Sequence, residues 1–205
     1  MATGWYTWDR KNNVCFVLCI LFLNCNKPKT ETATENLMYQ NTLNNGVLVC
    51  RLGTGYFSEY FKNYASKEKK YSHIGMVAKE NDTLFVYHCE ASELTGVGFV
   101  KREQLSSFLK GIKVFDFFDF NYTDSIKNQV LNNVKYYYKH KTPFDLEFDS
   151  FNDDKVYCTE LIAISINKIF EEVVIYPSLN LNGKQLYALD DIYLNENVKL
   201  IKHTH

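Results

Sequence analysis

Ser72-His73-Ile74-Gly75-Met76-Val77-Ala78 leads through Glu80-Asn81-Asp82 into Thr83-Leu84-Phe85-Val86-Tyr87-His88-Cys89-Glu90. Two apolar runs separated by a short polar stretch read as a β-hairpin. Side chains alternate along a strand, so His88 and Glu90 share a face. A tight turn at residues 80–82 sets the start of the first strand beside the end of the second, which makes His73 and Glu90 neighbours. A histidine at a strand start is usually structural. One beside a carboxylate is a candidate base.

Outward from the hairpin, Asn44-Asn45-Gly46 is a turn signal and Val47-Leu48-Val49-Cys50 a short strand. Phe57, Tyr60, Phe61 and Tyr64 follow Gly53 and Gly55 at helical spacing. Lys67 to Lys70 reads as a solvated loop. Val97 to Val100 reads as a strand, Arg102 to Leu109 as a helix, and Ile112 to Phe117 as a strand. Ile126, Val130, Val134 and Tyr138 mark an amphipathic helix over 124–139, with Thr123 as its N-cap. A second helix is expected from Cys158 to Phe170, and a helical turn plus a strand between Leu186 and Ile201. The fold class is α+β, with an antiparallel sheet packed against helices.

Cys158 follows the acidic stretch Asp149 to Asp154 and opens that second helix. Unpaired N–H groups at a helix N-terminus stabilise a thiolate and can polarise a carbonyl that gains charge. Most free cysteines are small buried hydrophobes. A nucleophilic one needs a base within hydrogen-bond reach and a third group to orient that base. His73 is the candidate base and Glu90 the candidate orienter, with His88 the competitor for the orienting role. No ligand pair at C-x-x-C or H-E-x-x-H spacing is present, so no metal or other cofactor is expected.

Ser72 to Val77, Glu90-Ala91 and Tyr157-Cys158-Thr159-Glu160-Leu161-Ile162 together resemble the signature of the YiiX/YebB-like cysteine hydrolases, circularly permuted papain-fold proteins of the NlpC superfamily. The order of histidine, acid and cysteine is that of permuted members. Gly46 and Phe144-Asp145 extend the resemblance over nearly the whole domain. It implies a permuted papain-like fold in which Cys158 is the nucleophile, His73 the base and Glu90 the orienter. Val47 stands where the family usually has an acid, and Thr159 where serine is usual.

Arg10 and Lys11 precede an apolar run from Val14 to Leu23, the form of an export signal and too short to span a bilayer. Leu23-Asn24-Cys25 resembles a lipoprotein processing site, which implies a membrane anchor at Cys25. The expected organisation is an export signal at 1–25, a linker at 26–36 and the hydrolase domain at 37–205. Residence is expected in the cell envelope. Cys50 and Cys89 lie in apolar stretches, as core residues or as a bridge. A net charge of −1, with no basic stripe, gives no reason to expect a nucleic-acid partner. The expected activity is that of an amidase or endopeptidase on peptidoglycan-type peptides. A lipid-directed acyl hydrolase or acyltransferase is the alternative, and a non-catalytic module of the same fold a third possibility.

Overall fold

The computed structural model describes residues 39–148 and 152–201. The expected export signal, the Cys25 anchor and the whole of the linker lie outside the described residues, as do residues 149–151. Six strands form one antiparallel sheet: β1 (Leu48–Arg51), β2 (His73–Glu80), β3 (Thr83–Ala91), β4 (Gly98–Gln104), β5 (Phe115–Phe120) and β8 (Val198–Leu200). Their spatial order is β4-β3-β2-β1-β5-β8. Between them run α1 (Tyr56–Lys62), α2 (Leu105–Phe108), α3 (Asp124–Lys139), α4 (Cys158–Asn167) and α5 (Asp190–Tyr193), with a small hairpin of β6 (Leu179–Leu181) and β7 (Lys184–Leu186).

The expected hairpin forms around Asn81 and Asp82, whose left-handed φ angles of 47° and 59° build a two-residue turn matched to strand twist. Glu80 then pairs with Thr83 and Met76 with Tyr87. Continuing that register sets Gly75 opposite His88 and His73 opposite Glu90.

Alternation divides the sheet into two buried faces. Leu48, Cys50, Ile74, Met76, Tyr87 and Cys89 face α3 and α4. Val47, Val49, Val77, Val86 and Phe117 face the other way, where Leu105 and Phe108 of α2 cover them. Cys50 and Cys89 are both buried and free. Cys50 pairs with Ile74, and Ile74 lies opposite Cys89, so a whole strand separates the two thiols. Two strand spacings, about 9.5 Å, exceed the reach of a disulfide.

Two expected elements differ. The stretch read as a helix from Arg102 stays in β4 to Gln104, because Arg102 and Glu103 pair with Tyr87 and Val86. Lys-Arg-Glu-Gln favours helix locally, but the ladder with β3 overrides propensity. In α3, with Thr123 as N-cap, Tyr137 is buried and Tyr138 is more than one-third exposed. Steps of four drift about 40° each around a helix of 3.6 residues per turn, and by the last step the inward position has moved back one residue.

Gly75 has no room for a side chain: a Cβ there would lie 2.4 Å from Val86 Cγ1 and 3.2 Å from the Cβ of His88. Gly75→Val should therefore lower stability by about 1–3 kcal/mol through overpacking. A shifted urea midpoint would show it, and a wild-type midpoint would contradict the packing described.

Candidate active site

His73, His88 and Glu103 come from three adjacent strands and lie on the face that α2 covers. Opposite residues in neighbouring rows are His73 with Glu90, His88 with Lys101, and Val86 with Glu103. Hydrogen bonds run along the diagonals between those rows, a reach that long side chains can span. His73 Nε2 lies 2.8 Å from His88 Nδ1, and His88 Nε2 lies 2.7 Å from Glu103 Oε1.

The proton positions follow from the far end of this chain. The His88 hydrogen bond holds the Glu103 carboxyl below its ordinary pKa, so it accepts. His88 is fully buried, and burial lowers its pKa against the pull of Glu103. A neutral His88 donating from Nε2 must accept at Nδ1. His73 then donates from Nε2 and carries its lone pair on Nδ1, which has no hydrogen-bond partner among the described residues. Burial, followed by the electrostatic effect of His88, pushes His73 well below its ordinary pKa. The network thus assigns a neutral His73 with Nδ1 as its basic atom.

Glu90 lies beside His73, but its oxygens face cations. Arg51 Nη2 donates to Oε1 at 2.8 Å and Lys101 Nζ to Oε2 at 2.7 Å. Burial works to raise the Glu90 carboxyl, yet His73, Lys101 and Arg51 together lower it to about 2. The Arg51 guanidinium also lies 4.0 Å from the centre of the Phe108 ring. Of the two orienters left open by the sequence, His88 makes the hydrogen bond to His73. Glu90 anchors a pair of cations next to it.

Cys158 arrives from the other face of the sheet as the first residue of α4. Leu161, Ile162 and Ile166 pin that helix in the core, and the Glu160 carboxylate accepts the Tyr157 N–H at 3.3 Å. The Glu160 bond supplies the backbone half of a capping box. Cys158 is partly exposed and borders the same cavity as His73. Among the described residues no hydrogen bond joins the thiol to His73. Burial raises the thiol to about 11, although the Ile74 and Thr159 backbone N–H groups work to lower it. Ile74 belongs to β2 and Thr159 to the start of α4, so strand and helix terminus both work to lower the thiol, and burial outweighs them.

Two contributors were not singled out in the sequence. Glu103 was hidden by the helix assigned to its stretch. Arg51 lay one residue past the apolar run that marked β1. The β3–β4 register is the signal that would have found Glu103, and the β1–β2 register, which pairs Arg51 with His73, the one that would have found Arg51.

No family model and no curated protein matches the chain. The fold is similar to the crystal structure of the metalloprotein YiiX from Escherichia coli O157:H7, a DUF1105 protein. The TM-score is 0.62 and the identity 14%, over 78% of this chain and 97% of that one. The likeness supports a YiiX-like fold, a mixed α/β architecture with an antiparallel sheet.

The word metalloprotein raises the question of whether this chain can hold an ion. His73, His88 and Glu90 offer donor atoms all within 4.8 Å of one another, a cluster that motif spacing could not reveal because it spans two strands. As placed, the three do not fit a divalent cation. A proton bridges the two histidines, and both Glu90 oxygens are already bound to positive side chains. An ion there would sit beside Arg51 and Lys101.

A thiol raised to about 11 is about 10⁻⁴ ionised at pH 7, and its ionised fraction grows as pH rises. Alkylation of Cys158 by iodoacetamide should climb about tenfold per pH unit from 7 to 10. A plateau reached below pH 8 would contradict the burial described. Chelator should leave both alkylation and turnover unchanged; loss of turnover restored by zinc would reverse the reading of the histidine–glutamate cluster.

Proposed function

We propose that the protein is a cysteine-dependent acyl hydrolase that cleaves amides, with Cys158 as nucleophile, His73 as base and His88, held by Glu103, as the orienter of His73. The supporting observation is the hydrogen-bond chain from Glu103 through His88 to His73. It leaves the Nδ1 lone pair available on a residue that borders the same cavity as the thiol. A structural histidine pair would not require a base beside a partly exposed cysteine at a helix start. The permuted papain-like arrangement implied by the motif order is part of this proposal, as is action in the cell envelope through an anchor at Cys25.

The chemistry is acyl transfer. His73 Nδ1 takes the Cys158 proton as sulfur bonds to the substrate carbonyl carbon, and the charge that forms on oxygen meets N–H groups at the start of α4. The carbon–nitrogen bond breaks as His73 returns the proton to the leaving amine. Water then attacks the thioester with His73 again as base, releasing the acid and the thiol. Because the resting thiol is protonated and His73 neutral, proton transfer accompanies attack. A preformed thiolate–imidazolium pair is not required.

Charge near the site does not favour the peptidoglycan-type peptide expected from the sequence. Arg51 is the cationic side chain among the described residues lining the cavity, and Glu90 already occupies it. A peptide bearing several carboxylates would find no free counter-ion there.

Cys158→Ala should abolish turnover with the fold intact by circular dichroism, and retained turnover would remove the proposal. His88→Ala should lower kcat/KM by about 100-fold or more, within the range typical of acid–base assistance. Glu90→Gln should cost less than about tenfold. The reverse ranking in purified, folded variants would return the orienting role to Glu90.

A further inference from the structure

The cavity shared by Cys158 and His73 has a volume of about 330 Å³ and an unusual wall. Arg51, His73 and Glu90 form a polar end, and Glu93 and the hydroxyl residues Ser58, Ser72 and Ser92 also border the cavity. Most of the wall is aromatic and aliphatic, supplied by α1, the 144–148 segment and the β6–β7 hairpin. Rings follow one another from the mouth to the nucleophile. Phe57, partly exposed on α1, lies 6.2 Å from Phe61, which lies 5.8 Å from Phe148, which lies 5.3 Å from Tyr157, the residue before Cys158. Phe148 holds this place with a left-handed φ of 50°, uncommon for a bulky residue and a form of strain that clusters at ligand sites.

The mouth is apolar as well. Phe57, Tyr60, Leu146 and Leu181 line the cavity and are also 41%, 49%, 58% and 37% exposed. No residue of α1 is buried, so its aromatic residues do not serve as core. Exposed apolar side chains scattered singly need no explanation. A set that rims a cavity ending at a nucleophile marks a binding site.

We propose that this cavity receives an unbranched apolar acyl chain, so that the substrate of the cysteine hydrolase is an acyl amide whose acid part is a long hydrocarbon. The inference rests on the Cys158–His73 reading for the chemistry, and on the wall for the substrate. The carbonyl lies at the polar end beside Cys158. The chain runs along Tyr157, Phe148 and Phe61 toward the mouth, and the amine leaves from the polar side. Water excluded by the chain strengthens the hydrogen bonds around the carbonyl.

The test is the dependence of rate on acyl length, measured with p-nitrophenyl acetate, butyrate, hexanoate and octanoate and with the corresponding amides, below micelle-forming concentrations. Each buried methylene should raise kcat/KM by about threefold to fourfold, so octanoyl should exceed butyryl by about 100-fold or more. Leu146→Asp and Leu181→Asp, at the mouth, should flatten this slope. Binding of octanamide to Cys158→Ala, followed by calorimetry, reads the wall without turnover. It should be about 100-fold tighter than binding of butanamide, with a negative heat-capacity change. Equal rates and equal binding across the series, with cleavage still abolished in Cys158→Ala, would overturn the acyl-chain inference and leave the cysteine mechanism standing. Cleavage that survives Cys158→Ala would remove the cysteine mechanism, and octanamide binding would then decide the wall on its own.

Discussion

The site depends on the register that Asn81 and Asp82 impose on β2 and β3. A two-residue turn of left-handed residues permits one pairing of the strands, and shifting it by one residue would send every side chain to the opposite face. With this pairing His73 stands diagonal to His88, and His88 diagonal to Glu103 on the next strand. Gly75 leaves the space that His88 fills. The arrangement is buried against Phe108, whose ring centre lies 5.7 Å from that of His73 and 4.9 Å from that of His88. A buried polar chain of this kind is tolerated only when each member is satisfied, and here each donor meets an acceptor. The ring nitrogen without a hydrogen-bond partner among the described residues is Nδ1 of His73, a residue that borders the cavity.

The proposed nucleophile, Cys158, is placed by separate means. Leu161, Ile162 and Ile166 fix α4 on the opposite face of the sheet, and its first residue reaches the cavity at the strand ends. Burial favours the uncharged form of both groups: it raises the Cys158 thiol and lowers the His73 imidazole. A neutral pair in a largely apolar cavity avoids the cost of holding two separated charges there. It also suits the proposed apolar substrate, because an incoming hydrocarbon displaces little that was solvating charge. The polar end and the apolar wall thus act as one site.

Much of this was legible in the sequence, for identifiable reasons. The hairpin, the 124–139 helix with its Thr123 cap, and the placement of Cys158 at a helix start all follow from local periodicity and capping, which operate over a few residues. His73 and Glu90 were found as neighbours because antiparallel pairing across a short turn is simple arithmetic. Glu103 was not found, because Arg102 and Glu103 have strong helix propensity and only the ladder with Val86 and Tyr87 holds them extended. The roles of Arg51 and Lys101 were hidden too, since both depend on strands that meet only in the folded sheet. The sequence placed Glu90 correctly beside His73 but could not show that two cations claim its oxygens, leaving the hydrogen bond to His88.

The central claim is that Glu103 fixes His88, and His88 fixes His73, so that both imidazoles are neutral and Nδ1 is the basic atom of His73, a residue that borders the cavity. Long-range ¹H–¹⁵N NMR of the imidazole nitrogens at pH 7 tests this directly. The account predicts protonated Nε2 and unprotonated Nδ1 on both His73 and His88, with the His88 pattern lost in Glu103→Gln or redistributed between tautomers. Protonation at Nδ1 of His73, or two protonated nitrogens on either ring at pH 7, would contradict it.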